Sequence, residues 1–99
     1  MIPIDMNELE SFGGGSDWSY KGKRFSGIVY EKDSKTGVIV GVGGLDGGFL
    51  SGADRTWSPS GVLLEETFYR YGGFHGPRRL WHADGTLKLN EYRNRGELK

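Results

Sequence analysis

Ninety-nine residues, 35% apolar and 26% charged, are enough for one hydrophobic core and too few for two, and the composition excludes a disordered chain. Thirteen basic and thirteen acidic side chains cancel, which argues against nucleic acid or an anionic membrane as partner, because both draw on an excess of Lys and Arg. No cysteine is available for a disulfide, a thiolate metal site or a thiol nucleophile, and no long apolar run or secretory leader is present, so the expectation is a soluble protein of the cytoplasm.

The composition does carry one outlier, its 18 glycines, set beside three Trp, five Tyr and five Phe. Scattered glycine with large aromatics is the pattern of short strands joined by tight turns. Charge is also uneven along the chain: residues 1–19 hold four acids and no base, whereas residues 70–99 hold seven bases and three acids.

In chain order, residues 1–19 stand apart as an N-terminal cap. Asp5 followed by Glu8 has capping-box spacing, and Met6, Leu9 and Phe12 would share a helical face, with Gly13-Gly14-Gly15 as its stop; an extended strand is the competing reading. From Tyr20 onward the chain repeats. Phe25-Ser26-Gly27, Leu50-Ser51-Gly52 and Phe74-His75-Gly76 recur at 25 and 24 residues, and Gly37, Gly61 and Gly85 at 24. Ile39, Leu63 and Leu87 lie two residues after that second glycine, Trp57 and Trp81 four before it, and Phe68 and Tyr92 seven beyond it. The repeats divide as 20–44, 45–68 and 69–92, with a partial one at 93–99.

Each unit reads as a β-hairpin whose turn is Trp57-Ser58-Pro59-Ser60-Gly61 or Trp81-His82-Ala83-Asp84-Gly85. The two apolar columns have opposite parity, so a bulge is required between them if both are to point one way. The fold expected is all-β: an elongated antiparallel sheet of about three and a half stacked hairpins within a single domain.

These residues resemble the MORN-like repeat family, in the variant found among bacterial antitoxins and immunity proteins. Phe74-His75-Gly76-Pro77-Arg78-Arg79-Leu80-Trp81-His82-Ala83-Asp84-Gly85-Thr86-Leu87 follows its pattern most closely, and Tyr20-Lys21-Gly22-Lys23-Arg24-Phe25-Ser26-Gly27 looks like its opening segment. The stretch Val40-Gly41-Val42-Gly43-Gly44-Leu45-Asp46-Gly47-Gly48 departs from it. The resemblance implies a cytoplasmic protein that binds and neutralises a cognate toxin. A structural or membrane-proximal scaffold is the other role it implies.

Catalytic chemistry finds no footing. His75 and His82 alone make no metal set, and Ser51 and Ser58 lack a nucleophile turn. Glu65 and Glu66, adjacent in a strand, point to opposite faces and cannot act as a pair. Gly41-Val42-Gly43-Gly44-Leu45-Asp46-Gly47 has neither the spacing nor the following Lys of a phosphate loop and reads as a glycine-rich turn. The basic C-terminal third, with Arg70, Arg78, Arg79, Lys88, Arg93, Arg95 and Lys99 among Tyr71, Phe74, Trp81 and Tyr92, has the composition of a single-strand platform, but Asp84, Glu91 and Glu97 interrupt it. We therefore expect no enzyme, no metal and no cofactor.

With Ile39, Leu63 and Leu87 taken as inward, Val38, Val40, Val42, Val62, Leu64 and Glu66 face out, followed by Thr86, Lys88 and Asn90. The early sheet is then apolar on both faces. Either Ile2, Ile4, Met6, Leu9 and Phe12 fold over the outer patch, or a partner does. The partner-binding residues expected are Val40, Leu64, Glu66, Lys88 and Asn90. The apolar face and the open sheet edge also offer a second copy a place to dock.

Overall fold

In the computed structural model, which describes residues 3–12, 17–94 and 97–98, the hairpin glycines bend the chain where their spacing predicts. Gly37, Gly61 and Gly85 take φ of 74°, 95° and 89°, a region that glycine alone enters without a Cβ penalty. The surrounding bonds recur with them. Gly61 N–H donates to Ser58 O and Ser58 N–H to Val62 O; Gly85 N–H donates to His82 O and His82 N–H to Thr86 O. The first loop is one residue longer and closes the same way, through Gly37 N–H to Asp33 O and Asp33 N–H to Val38 O. A second turn links one hairpin to the next, with positive φ at two successive residues: Lys21 and Gly22 (52°, 84°), Gly47 and Gly48 (58°, 91°), Tyr71 and Gly72 (52°, 83°). That geometry matches the right-handed twist of the strands it joins.

Between these turns run β1 (Ile4–Asp5), β2 (Glu10–Phe12), β3 (Asp17–Tyr20), β4 (Lys23–Arg24), β5 (Gly27–Lys32), β6 (Ile39–Asp46), β7 (Phe49–Leu50), β8 (Gly52–Trp57), β9 (Leu63–Arg70), β10 (Gly73–Trp81), β11 (Leu87–Asn94) and β12 (Glu97–Leu98). The protein is all-β. The main sheet has the order β1-β5-β6-β8-β9-β10-β11-β12, with β7 also on β6, and β2-β3-β4 form a separate small sheet. Every pairing is antiparallel except that of β1 with β5. Principal extents are 41 × 36 × 25 Å. Among the described residues no helix is long and apolar enough to cross a membrane.

The bulge required by the sequence parity is present in all three hairpins, at one place. Lys32 pairs with Ile39 but Glu31 with Gly41; Trp57 pairs with Leu63 but Thr56 with Glu65; Trp81 pairs with Leu87 but Leu80 with Leu89. The residues left over are Val40, Leu64 and Lys88, 24 apart. One consequence corrects the sequence reading. Ile39, Leu63 and Leu87 do not point away from Val40, Leu64 and Lys88, because the bulge sends both members of each pair to one face. Ile39 and Leu87 are accordingly exposed, at 47% and 53%.

The buried apolar residues lie at the other end and on the other face. Leu9, Val29 and Leu45 are buried, with Ile4, Met6, Trp18, Tyr20, Phe25 and Leu50 packed around them. The N-terminal segment forms this cover without a full helix. Asp5 accepts a hydrogen bond from Asn7 N–H (2.9 Å) and caps a single 3-10 turn, Met6–Glu8, after which Leu9 is extended. Burying Leu9, Val29 and Leu45 contributes about 1.5–3 kcal/mol each. Ile2 and Gly13-Gly14-Gly15 lie outside the described residues. Ile4, Met6 and Leu9 therefore cover the face of Val29 and Leu45 and not the face of Val40 and Leu64, so of the two alternatives the sequence left open, the described part of the segment does not follow the first.

The glycine-rich stretch is the interior of β6 rather than a turn; the turn follows at Gly47-Gly48. Its glycines accommodate neighbours. A Cβ at Gly44 would stand 2.6 Å from Ser51 O, whereas one at Gly41 would meet Glu31 Cβ at an ordinary 3.5 Å. Gly44→Ala should therefore cost about 2 kcal/mol or more, since backbone must move, and Gly41→Ala less than about 1 kcal/mol. Urea midpoints of the two variants check this; equal values would contradict the close approach.

Candidate interaction face

Alternation along the strands divides the main sheet into two faces, and cross-strand register decides which residues share each. The covered face, under the N-terminal segment at β5 and β6, continues across Asp54, Thr67, Tyr69, Phe74, Arg78 and Glu91. The open face holds all five residues singled out from sequence: Val40, Leu64, Glu66, Lys88 and Asn90. Val40, Leu64 and Glu66 are half-buried, Lys88 and Asn90 exposed.

The open face is built in rows that cross the strands. Its central row runs Tyr30, Val42, Arg55, Glu66, Arg79, Asn90, each paired with the next. Arg55 Nε donates to Glu66 Oε2 and Arg79 Nη1 to Glu66 Oε1, both at 2.9 Å, so one carboxylate is clamped by guanidiniums from the two flanking strands. Those bonds, Arg55 first and Arg79 with it, hold the Glu66 carboxyl below its ordinary range against the opposing effect of burial. The Glu66 side chain is 16% exposed, whereas those of Arg55 and Arg79 are 43% and 39% exposed and offer their remaining N–H groups outward.

Apolar rows flank this one. Toward the hairpin loops lie Ile39, Trp57, Leu63, Trp81 and Leu87 with the bulged Val40 and Leu64; toward the linking turns lie Ile28, Ala53, Phe68, Pro77 and Tyr92. Four of the six exposed large apolar side chains, Ile28, Ile39, Leu87 and Tyr92, stand on this face. At its β5 edge, Pro3, Ile28, Tyr30, Lys32, Ile39 and Val42 line a cleft of about 370 Å³.

Charge is divided between the faces as well. On strands β5, β6 and β8–β11 the open face carries Lys32, Arg55, Arg70, Arg79 and Lys88 against Glu66 and Asp46, and the covered face carries Glu31, Asp54, Glu65 and Glu91 against Arg78 and Arg93. The basic C-terminal third is thus no single field, since Arg78 and Arg79 point opposite ways; Arg95 and Lys99 lie outside the described residues. Glu65 and Glu66 separate in the same manner.

On the covered face Arg78 and Arg93 stack over the Phe74 ring (5.2 and 5.5 Å) and both bond Glu91. Arg78 Nε has no hydrogen-bond partner among the described residues. Beside them, Asp54 sits over Gly43, where a Cβ would meet its carboxylate oxygen at 3.1 Å. Burial, then the charges of Glu65 and Glu31, push the Asp54 carboxyl up to about 6. His75 and His82 do not converge with other ligands: among the described residues no three His, Cys, Asp or Glu side chains are grouped to hold a metal ion.

The sequence reading missed Arg55 and Arg79 as members of the face. Their 24-residue separation puts them in register with the repeat columns, and that signal was available. Compared with family models, curated proteins and solved structures, the chain finds no match among any of them.

Asp54 gives a pH prediction of definite sign. Its folded-state pKa lies above its unfolded value, so its contribution favours folding most at acid pH and is lost as pH rises from about 4 through about 6. Asp54→Asn should raise stability at pH 7 by about 1 kcal/mol, after allowance for solvent screening of a half-exposed group, and should flatten the stability profile over that window. Urea titrations at pH 4, 5, 6 and 7 read both effects; a steeper profile in the variant would contradict the assignment.

Proposed function

We propose that this chain is a binding protein, not an enzyme, and that it acts in the cytoplasm as an antitoxin or immunity protein, occluding a cognate toxin with the open face of its sheet. The observation that carries the reading is the construction of that face. A clamped Arg-Glu-Arg row lies between two half-exposed apolar rows, and among the described residues no segment lies over the row as the N-terminal segment lies over Val29 and Leu45. Flat, rigid faces of this kind, with aromatic and arginine side chains near the centre, are what protein partners use as anchors. The recurrence of the hairpin loops and of the bulge at 24-residue intervals, and of the linking turns at 26 and 24, supports the MORN-like resemblance, whose members in this variant neutralise toxins.

The test is genetic and biochemical together. The product of the open reading frame beside this one should arrest growth when expressed alone, and the present chain should relieve the arrest and co-purify with it. Persistent arrest, or relief without a complex, overturns the proposal. Within the complex, Leu64→Asp should weaken binding by at least about thirtyfold while the unfolding midpoint stays near that of the parent, because Leu64 is the extra residue of its bulge and carries no ladder pairing. Unchanged affinity would remove Leu64 from the interface.

A further inference from the structure

We infer that the partner meets the open face with an acidic protein surface, carboxylates opposite the arginine row and apolar side chains on either side of them. This rests on the binding reading above and specifies its partner. Charge complementarity carries it. Among the described residues five cations stand on the open face against three carboxylates, and two of the three are already engaged: Glu66 by Arg55 and Arg79, and Asp5, in register with Tyr30 at the β1 edge, by the Asn7 N–H. The third, Asp46, lies at the far end of β6, beyond the central row. Two guanidiniums on one carboxylate leave a positive excess in the middle of the face, with N–H groups still open to a second acceptor. Lys32 and Lys88 extend that field toward the two sides of the sheet.

The flanking rows decide the class of acidic partner. A polyanion backbone would satisfy the arginines but would leave Ile28, Ile39, Leu87 and Tyr92 in water, whereas a protein surface with apolar side chains beside its carboxylates covers both. A second copy fits less well. Its covered face is the acidic one, yet Glu91 there is held by Arg78 and Arg93, and the N-terminal segment lies over Val29 and Leu45.

The full chain, labelled with nitrogen-15, is titrated with two short synthetic peptides, one alternating glutamate with leucine and the other carrying lysine in place of each glutamate. The acidic peptide should bind at least about tenfold tighter, weaken as salt rises from about 50 to about 200 mM, and shift the amides of Arg55, Glu66, Arg79 and Asn90. The double variant Lys32→Glu, Lys88→Glu changes two exposed side chains and should lose about tenfold in affinity for the acidic peptide at an unchanged unfolding midpoint. Equal or tighter binding of the lysine peptide overturns the inference, as do shifts confined to the covered face. Tighter binding of oligothymidylate or of phosphatidylserine vesicles would overturn it in favour of a polyanion. Self-association in sedimentation velocity that the double variant abolishes would overturn it in favour of a second copy. The two levels separate cleanly. Neutralisation of the neighbouring gene product that is indifferent to Lys32→Glu, Lys88→Glu sinks the acidic partner and leaves the antitoxin reading standing. Binding of the acidic peptide as described, without neutralisation, does the reverse.

Discussion

One extra residue on the returning strand of each hairpin determines how this sheet presents itself. A regular strand would send Leu63 and Phe68, five residues apart, to opposite faces; the bulge at Leu64 returns them to one. The same holds in the third hairpin for Leu87 and Tyr92 across Lys88. Without that residue the apolar columns would be divided and neither face would have continuous rows. The hairpin loops, closed by Gly37, Gly61 and Gly85, place the bulge at a fixed distance from each turn. Turn chemistry thus sets register, and register sets which side chains become neighbours.

A sheet with one layer has to find its stability elsewhere than in a thick core. Among the described residues Leu9, Val29 and Leu45 are the buried apolar ones, and all belong to the N-terminal third or to the turn end of β6. Beyond that end, support comes from cross-strand neighbours: the Arg55-Glu66-Arg79 clamp on one face, and Arg78 and Arg93 around Phe74 and Glu91 on the other. Half-exposed Trp57 and Trp81 sit at the same point of successive hairpins and cover the ladder ends near the loops. The repetition is therefore energetic as well as geometric, since each hairpin takes part of its support from the side chains of the next.

Much of this was legible from spacing. Glycine columns gave the turns, parity gave the need for a bulge, and the all-β architecture followed from both. Residues 40, 64, 66, 88 and 90 were placed together on one face and do share it. The direction of the face was not legible. Period and parity say which residues stand together, but only the path of the N-terminal segment says which side it covers, and an isolated stretch such as Ile4-Asp5-Met6 carries no register with β5 until the two are paired. Nor did spacing reveal that Ile39 and Val40 point alike, because a bulge can be inferred between two columns without fixing which residue it displaces. The reading of Gly41–Gly47 as a turn holds only at Gly47 and failed over residues 41–46, which belong to β6, for a related reason. Glycine permits tight turns, but it also permits close packing, and here Ser51 O and the Asp54 side chain occupy the space a Cβ would need.

Net charge misleads for the same structural cause. A sum of zero suggests a surface without electrostatic preference, yet strands sort charge by parity rather than by sum. Asp54 and Arg55 are neighbours in sequence and stand on opposite faces, as do Glu65 and Glu66, and Arg78 and Arg79. Each such pair sends one member to the covered face and one to the open face, and the members sent to the open face are Arg55, Glu66 and Arg79. The acids that would have balanced the two arginines, Asp54 and Glu65, lie on the other side, where burial first and the charge of Glu65 second raise the Asp54 carboxyl. The discomfort of the covered face and the positive excess of the open one are two results of a single alternation. Relieving the first by moving an acid across the sheet would neutralise the second, so the positive excess of one face and the crowded carboxylates of the other cannot be changed independently.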